Sequence, residues 1–240
     1  MSPQLSAVVP VFDERDNLEA LVAELQSRLN ETGRTWEMLL VDDGSKDGSA
    51  ELLDRLAGER TGLRILHFAR NAGQTAAFDA GFKAARGEVV ITLDADLQND
   101  PADIPRLLQA LDSGPYGAAV GYRVKREDSV VRRLSSRIAN GIRNRLSGDD
   151  IIDTGCSLKA YRREALTGVK LFTGMHRFLP TLLRMEGFAV VQIPVGHRPR
   201  RAGTSKYGVL NRAFRAFVDL LAVRWMKRRR LSYEVVRHVG

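Results

Sequence analysis

The sequence predicts an α/β fold. A mostly parallel sheet carries helices on both faces, and a basic amphipathic helix extends it at the C-terminal end. Three observations lead there. Up to about residue 115, apolar runs of strand length alternate with stretches of helical apolar periodicity. Those runs are almost continuously apolar, as strands covered on both sides must be. No repeat, low-complexity tract or linker interrupts the 240 residues.

The elements follow in order. "LSAVVPV" reads as the first strand and "NLEALVAELQSRL" as the first helix, with Asp16 as its N-cap. "WEMLLV" is the second strand, and "DGSAELLDRLA" the second helix with Asp47 near its cap. "LRILHF" leads into the helix "GQTAAFDAGFKAA", and "GEVVITL" into "DIPRLLQALDSG". Beyond these the rhythm loosens. "YGAAVGYR", "GCSLKAYR" and "FAVVQIPVGHR" read as strands, and "VVRRLSSRIANGIRNRL" and "HRFLPTLLRMEG" as helices.

Charge is patterned along the chain. The net charge is +8, but eleven Lys and Arg face a single acid between His197 and Arg230. Such patches suit phosphates, nucleic acid or an anionic membrane. The single cysteine, Cys156, excludes an internal disulfide and fits a reducing compartment; it reads as a small buried residue. The first residues lack the features of a signal peptide, and the best candidate span, "AFVDLLAVRWM", is broken by Asp219 and Arg224.

In an open parallel sheet, ligands bind outside the carboxyl ends of the strands. Three acidic clusters fall there: "PVFDE" after strand one, "VDDGSKDG" after strand two and "DADLQ" after strand four. Crowded carboxylates are costly unless a cation or hydrogen bonds compensate. Asp94 and Asp96 put oxygen ligands within reach of one hard cation, Mg²⁺ or Mn²⁺, and Gln98 adds a neutral oxygen. Such an ion takes its remaining ligands from water and substrate phosphates.

With "VVPVFDERDNL", "LLVDDGSKDGS", "RNAGQTAAFDAGFKAARGEVVITLDADLQNDP" and "AGTSKYG" in this order, the chain resembles family 2 glycosyltransferases of the GT-A fold. The subgroup it is similar to is the dolichol-phosphate mannosyltransferase-like enzymes, with the bacterial polyprenyl-phosphate glycosyltransferases. The resemblance covers about residues 4 to 210. It implies that Pro10, Phe12 and Glu14 face the base and ribose of a UDP- or GDP-linked sugar, and that Asp43 contacts the nucleotide. It implies that Asp94, Ala95, Asp96 and Gln98 hold the metal and the donor diphosphate, over which Arg200 and Lys206 close. Arg123, Arg132 and Ser136 match groups proposed to hold the phosphate of a dolichyl- or undecaprenyl-type acceptor. Gln74 departs from the pattern, since several bacterial relatives have Lys there.

The expected organisation is a catalytic domain over 1–208 and a basic tail over 209–240. The tail places Leu210, Phe214, Phe217, Leu221 and Trp225 at helical spacing beside a basic run, as an interfacial helix does. It would meet a membrane surface or a separate small membrane protein, on the cytoplasmic face. The expected reaction is inverting transfer of the sugar to the lipid phosphate. A phosphate monoester is already largely deprotonated near neutrality, so it needs no general base. The alternative is a saccharide hydroxyl acceptor in cell-envelope polysaccharide synthesis. That one needs a base, with Glu127, Asp128, Asp149, Asp150, Asp153 and Glu186 as candidates. A dehydrogenase would need Gly-x-Gly-x-x-Gly where this chain has "PVFDER". No nucleic-acid partner is expected, because that reading leaves the acidic strand ends unexplained. His67 reads as structural, and His176 has no visible partner in the sequence.

Overall fold

The structure, a computed structural model, describes residues 2–124, 150–199, 209–231 and 237. The elements are β1 (Leu5–Val11), α1 (Arg15–Glu31), β2 (Trp36–Asp42), α2 (Ser49–Glu59), β3 (Leu63–His67), α3 (Gln74–Ala84), β4 (Val89–Thr92) and α4 (Ile104–Asp112). Then come β5 (Tyr116–Arg123), β6 (Lys159–Arg162), α5 (Arg163–Thr167), α6 (Leu179–Met185), β7 (Ala189–Val195) and α7 (Val209–Arg228). The basic helix expected over 130–146 lies outside the described residues.

Seven strands form one sheet in the order β3-β2-β1-β4-β6-β5-β7. β3, β2, β1 and β4 are parallel, and β5 pairs parallel with β7. β6 alone runs antiparallel, between β4 and β5. The chain winds outward from β1 to β3 and then returns to the other side of β1 as β4. That reversal is a topological switch point, where the strand ends leave a crevice.

Both faces of the sheet are covered, as the continuous apolar strands required. On one face, Leu18, Leu21 and Leu25 of α1, Leu53 of α2 and Leu107 of α4 pack against Val9, Leu40 and Ile91. On the other, Phe78 of α3 and Leu179 and Leu183 of α6 pack against Val8, Leu39 and Val90. Gly81 lets α3 lie this close to β1: a Cβ there would sit 2.3 Å from Val8 Cγ1. A smaller cluster joins Leu220 and Val223 of α7 to Met175, Phe178, Leu182 and Met185.

Two local features differ from expectation. α1 begins at Arg15 with Glu14 at the cap position, so Asp16 lies within the first turn, where its charge favours the helix dipole. The strand expected over "GCSLKAYR" is confined to its last four residues. Pro10 sits in a central strand at no cost to the ladder. Val11 directs its carbonyl toward the β2 side, accepting from Asp43 N, so Pro10 faces β4, and the β1–β4 register ends at Val8.

Candidate active site

The ends of β2, β1 and β4 are neighbours in the sheet, so the three acidic clusters converge at its carboxyl edge. After β4 the chain turns back on itself. Asp94 N donates to Asn99 Oδ1 at 3.1 Å, and Ser157 Oγ donates to the same oxygen at 2.7 Å. Leu97 takes a φ of 59°, a left-handed conformation that is strained for a bulky residue. Gln98 N then donates to Asp96 Oδ1 at 3.1 Å. Asp94 Oδ1 accepts from Gln74 Nε2 at 2.7 Å, which gives the departure at Gln74 a physical role. Gln74 opens α3, so this contact ties the carboxylate to a helix N-terminus.

Burial pushes the Asp94 carboxyl up from its ordinary value. The nearby Ser157 hydroxyl opposes this, the charge of Asp96 adds to it, and Lys159 and Arg123 oppose it. Two crowded carboxylates on a braced turn fit a hard divalent cation that completes its shell with water and phosphate oxygens. Among the described residues there is no group of three or more His, Cys, Asp or Glu able to hold a metal alone. Ala95, between Asp94 and Asp96, is buried in the core cluster.

Pro10, Phe12 and Glu14 line the same edge, each partly buried. Asp13, between them, has a φ of 49°, and its N donates to Ser45 Oγ at 2.9 Å. Glu14 Oε2 accepts from Asn17 Nδ2 at 2.7 Å, and its N donates to Ser49 Oγ at 3.2 Å. The first acidic loop is thus laced to the second.

Asp43 occupies the expected place but is almost fully engaged. It accepts from Ala72 N at 2.6 Å, Gly73 N at 2.8 Å and Asn71 Nδ2 at 3.0 Å, pinning the loop that leads into α3. Burial raises its carboxyl pKa despite the amides of Ala72 and Gly73, and the charge of Asp42 adds to the rise. Gly44 makes the close approach possible: with φ at 72°, a Cβ would stand 2.7 Å from the carbonyl carbon of Arg70. Asp42 accepts from Ser45 N at 3.0 Å and meets His67 Nδ1 at 3.0 Å, while His67 Nε2 meets Asp54. His67 is structural, as read from the sequence.

Arg123 ends β5, and its Nε and Nη2 form a two-point pair with Asp153 at 2.6 and 2.9 Å. A carboxylate thirty positions along the chain thus already holds two of the nitrogens of Arg123. Arg132, Ser136, Arg200 and Lys206 lie outside the described residues. The chain leading toward Arg200 runs beside the turn after β4, since Arg198 N donates to Gln98 O at 2.8 Å.

Behind Asp94 lies a cavity of about 70 Å³. The sheet forms its floor through Thr92, Lys159 and Tyr161, and Gln74, Phe78 and His176 stand among its walls. His176 does have a partner: its Nδ1 lies 2.6 Å from Thr75 Oγ1, which also accepts from Gly174 N. Cys156 is buried here, and burial pushes its thiol up to about 11. Sequence reasoning missed Lys159 and read "GCSLKAYR" only as a strand. The available signal was a lone lysine within an apolar run, on a strand that became central.

The family described as Glycosyl transferase family 2 matches residues 6–169, more than half of the chain. The chain belongs to that family. The glycosyltransferase is 39% identical over 231 residues to a dodecaprenyl-phosphate galacturonate synthase of Rhizobium johnstonii, covering 95% of this chain and 68% of the relative. It is 41% identical over 208 residues to an undecaprenyl-phosphate 4-deoxy-4-formamido-L-arabinose transferase of Edwardsiella ictaluri, covering 86% of this chain and 63% of the relative. The chain therefore spans about two thirds of the length of these relatives.

Solved structures share the GT-A fold. Glucosyl-3-phosphoglycerate synthase from Mycobacterium tuberculosis, in complex with Mn²⁺, UDP and product, superposes with a TM-score of 0.68 at 18% identity. The match covers 94% of this chain and 80% of that one. A mannosyltransferase from Pyrobaculum calidifontis, in complex with GDP-Man and Mn²⁺, superposes at 0.61 with 20% identity. It covers 95% of this chain and 71% of that one.

Proposed function

We propose that this glycosyltransferase moves a sugar from a UDP- or GDP-linked donor to the phosphate of a polyprenyl phosphate, with inversion at the anomeric carbon. The names of its relatives support a lipid-phosphate acceptor. The observation that carries this reading concerns where the candidate bases among the described residues lie. Among the described candidates, Asp153 is paired with Arg123 and Asp150 with Arg184. Glu186 lies beyond the end of α6, near the start of β7, at the sheet edge opposite Asp94. Glu127, Asp128 and Asp149 lie outside the described residues. A phosphate acceptor arrives ionised and needs no base.

Asp94 and Asp96, with Gln98, would hold Mg²⁺ or Mn²⁺, as the Mn²⁺-bound relatives of this fold encourage. Bound there, such an ion supplies neutralising charge to the departing nucleoside diphosphate. Pro10, Phe12 and Glu14 would face the nucleoside, and Asp43 would shape that slot by fixing residues 71–73. Arg200 and Lys206 would add positive charge over the diphosphate. Arg132 and Ser136 would receive the acceptor phosphate, with Arg123 held beside them by Asp153.

The acceptor lies in a membrane. Among the described residues no helix is long and apolar enough to cross one. α7 instead packs through Leu220 and Val223 and leaves Phe217, Val218, Leu221 and Trp225 exposed beside Lys227 and Arg228–Arg230. Aromatic and basic groups on one helix suit the interface of an anionic bilayer. Residues 209–240 would therefore dock on the cytoplasmic face, directly or on a small membrane protein.

The test is a transfer assay with UDP- and GDP-sugars, Mn²⁺ or Mg²⁺ and a short polyprenyl phosphate, read by mass spectrometry. A glycolipid that disappears with Asp96→Ala is the expected result. Transfer to saccharide hydroxyls alone would overturn the acceptor assignment.

A further inference from the structure

Gly196, His197 and Arg198 follow β7 and lie against the turn that carries Asp96 and Gln98. Gly196 N donates to Asp103 Oδ2 at 2.6 Å, Asn99 and His197 pair as a single antiparallel bridge, and Arg198 N donates to Gln98 O at 2.8 Å. Each of the three residues is therefore bonded to the turn or to its exit. One bridge is too short to be a stable ladder on its own. The turn it supports is strained, with Leu97 buried at a φ of 59°. Such a conformation persists only where its surroundings impose it.

The side chain of Arg198 supplies the imposing contact. Its Nη1 and Nη2 form a two-point pair with Glu24 of α1, at 2.9 and 2.7 Å, and Nη2 also donates to Asp100 Oδ1 at 2.7 Å. That Asp100 oxygen accepts from Ala102 N at 2.9 Å, which fixes the carboxylate at the exit of the turn. The guanidinium is thus a planar fork between a helix, the turn and the chain that leaves β7. Arg28 lies near the same two acids, but its Nη1 goes to both oxygens of Glu31. The side chains of Arg198, Glu24 and Asp100 are 24–29% exposed, so solvent screening limits what they add to overall stability. What they fix is geometry.

We propose that Arg198 is a positioning residue for the donor site. By clasping α1 to Asp100 it holds the Leu97 turn in the shape in which Asp96 and Gln98 present their oxygens to a divalent cation. This rests on the metal and donor reading above and adds the group that preorganises the turn. Arg198 acts through the turn and is not itself a ligand. Charge and geometry predict opposite signs for its removal. Loss of Arg198 takes a positive charge from beside the cation site and leaves Glu24 and Asp100 unbalanced. Through-space attraction alone would then tighten Mn²⁺ binding. Loss of positioning weakens it.

Mn²⁺ binding to the full chain with UDP or with GDP, read as free Mn²⁺ by electron paramagnetic resonance, tests this without turnover. Arg198→Met should weaken Mn²⁺ binding by about tenfold, the lower end of what losing the support of a ligating carboxylate does to metal affinity. Arg198→Lys, which keeps the charge but not the fork, should lie between Arg198→Met and the wild type. Arg55→Met removes a similar pairing with two acids, Glu19 of α1 and Glu59, away from the turn, and should leave binding unchanged. Unchanged or tighter binding in Arg198→Met, or an equal loss in Arg55→Met, overturns the proposal. If Arg198→Met does not fold, as thermal unfolding would reveal, Arg198→Lys decides alone, and wild-type affinity there overturns the proposal. Wild-type binding that Arg198→Met leaves intact sinks only this inference. A wild type that binds no Mn²⁺ with either nucleotide sinks the donor-site reading and this inference with it.

Discussion

Glu37 and Asp43 stand at opposite ends of β2, and their surroundings drive them in opposite directions. Both are buried carboxylates. Burial pushes the Glu37 pKa up, but Ser6 Oγ and Arg86 N, each at 2.7 Å, and Arg64 Nη1 at 2.7 Å outweigh it, and the net shift is downward. Asp43 has three donors as well, yet none is charged; burial prevails and the charge of Asp42 adds to it. The difference is one cation. The amino edge of the sheet closes its own electrostatics. The carboxyl edge gathers Asp42, Asp43, Asp94 and Asp96, with His67 on Asp42 and the charges of Lys159 and Arg123 near Asp94, and the pKa values of Asp43 and Asp94 are still raised.

The largest effect that comparison predicts is at Asp96. Asp96→Asn should lower transfer by about 10²–10³-fold, the scale of losing one preorganised electrostatic contact. Stability should be unchanged or slightly higher, because crowding is relieved. A marked fall in unfolding midpoint with activity intact would mean that the carboxyl edge, too, is structural.

Glu37→Gln should do the reverse. It should cost about 2 kcal/mol of stability near neutral pH by loosening a buried charged pair, while transfer per folded molecule holds. Because the folded pKa is lowered, the contribution of Glu37 is present above its unfolded value near 4.5 and fades as pH falls through the folded one. Denaturant melts of both proteins from pH 7 to pH 3 should therefore converge; a constant gap would break the comparison.

A third test sharpens it across the sheet. Arg123 and Asp153 are only 15% and 13% exposed, so a double-mutant cycle with alanines should return a coupling of about 2 kcal/mol. No coupling would mean that Asp153 does not hold Arg123 in place.

The smallest effect is at His67. Burial lowers its pKa, but hydrogen bonds and charge from Asp42 and Asp54 raise it more. A raised pKa stabilises fully below the unfolded value near 6.5 and ceases to as pH rises through the folded value. His67→Gln should thus lose more in melting temperature at pH 5.5 than at pH 8.5; the opposite order would reverse the assignment.

Much of this was legible in the sequence. Continuous apolar runs identified β1, β2, β3 and β5 within a residue or so, because burial on both faces leaves a direct imprint on composition. The acidic strand ends were legible because parallel strands put them at one edge. The partners of charges were not legible. Asp153 meets Arg123 across thirty positions, and Asp43 meets residues 71–73 across a whole strand. Neither periodicity nor spacing records which distant group neutralises a charge. Lys159 stayed hidden for a related reason: the antiparallel insertion of β6 between β4 and β5 made its strand central, and nothing local to "SLKAYR" announces that. Asp16 was misplaced as a cap because Glu14, held by Ser49 across the crevice, already starts the helix.

Hydrogen exchange of the full chain, with and without UDP or GDP and Mn²⁺, tests most directly whether the carboxyl edge is the donor site. Protection should rise across residues 10–14, 42–45, 71–74 and 94–99, and stay unchanged at residues 85–88 and 35–38 on the amino edge. Protection absent from 94–99, or centred on the amino edge, would contradict the placement of the donor at Asp94 and Asp96.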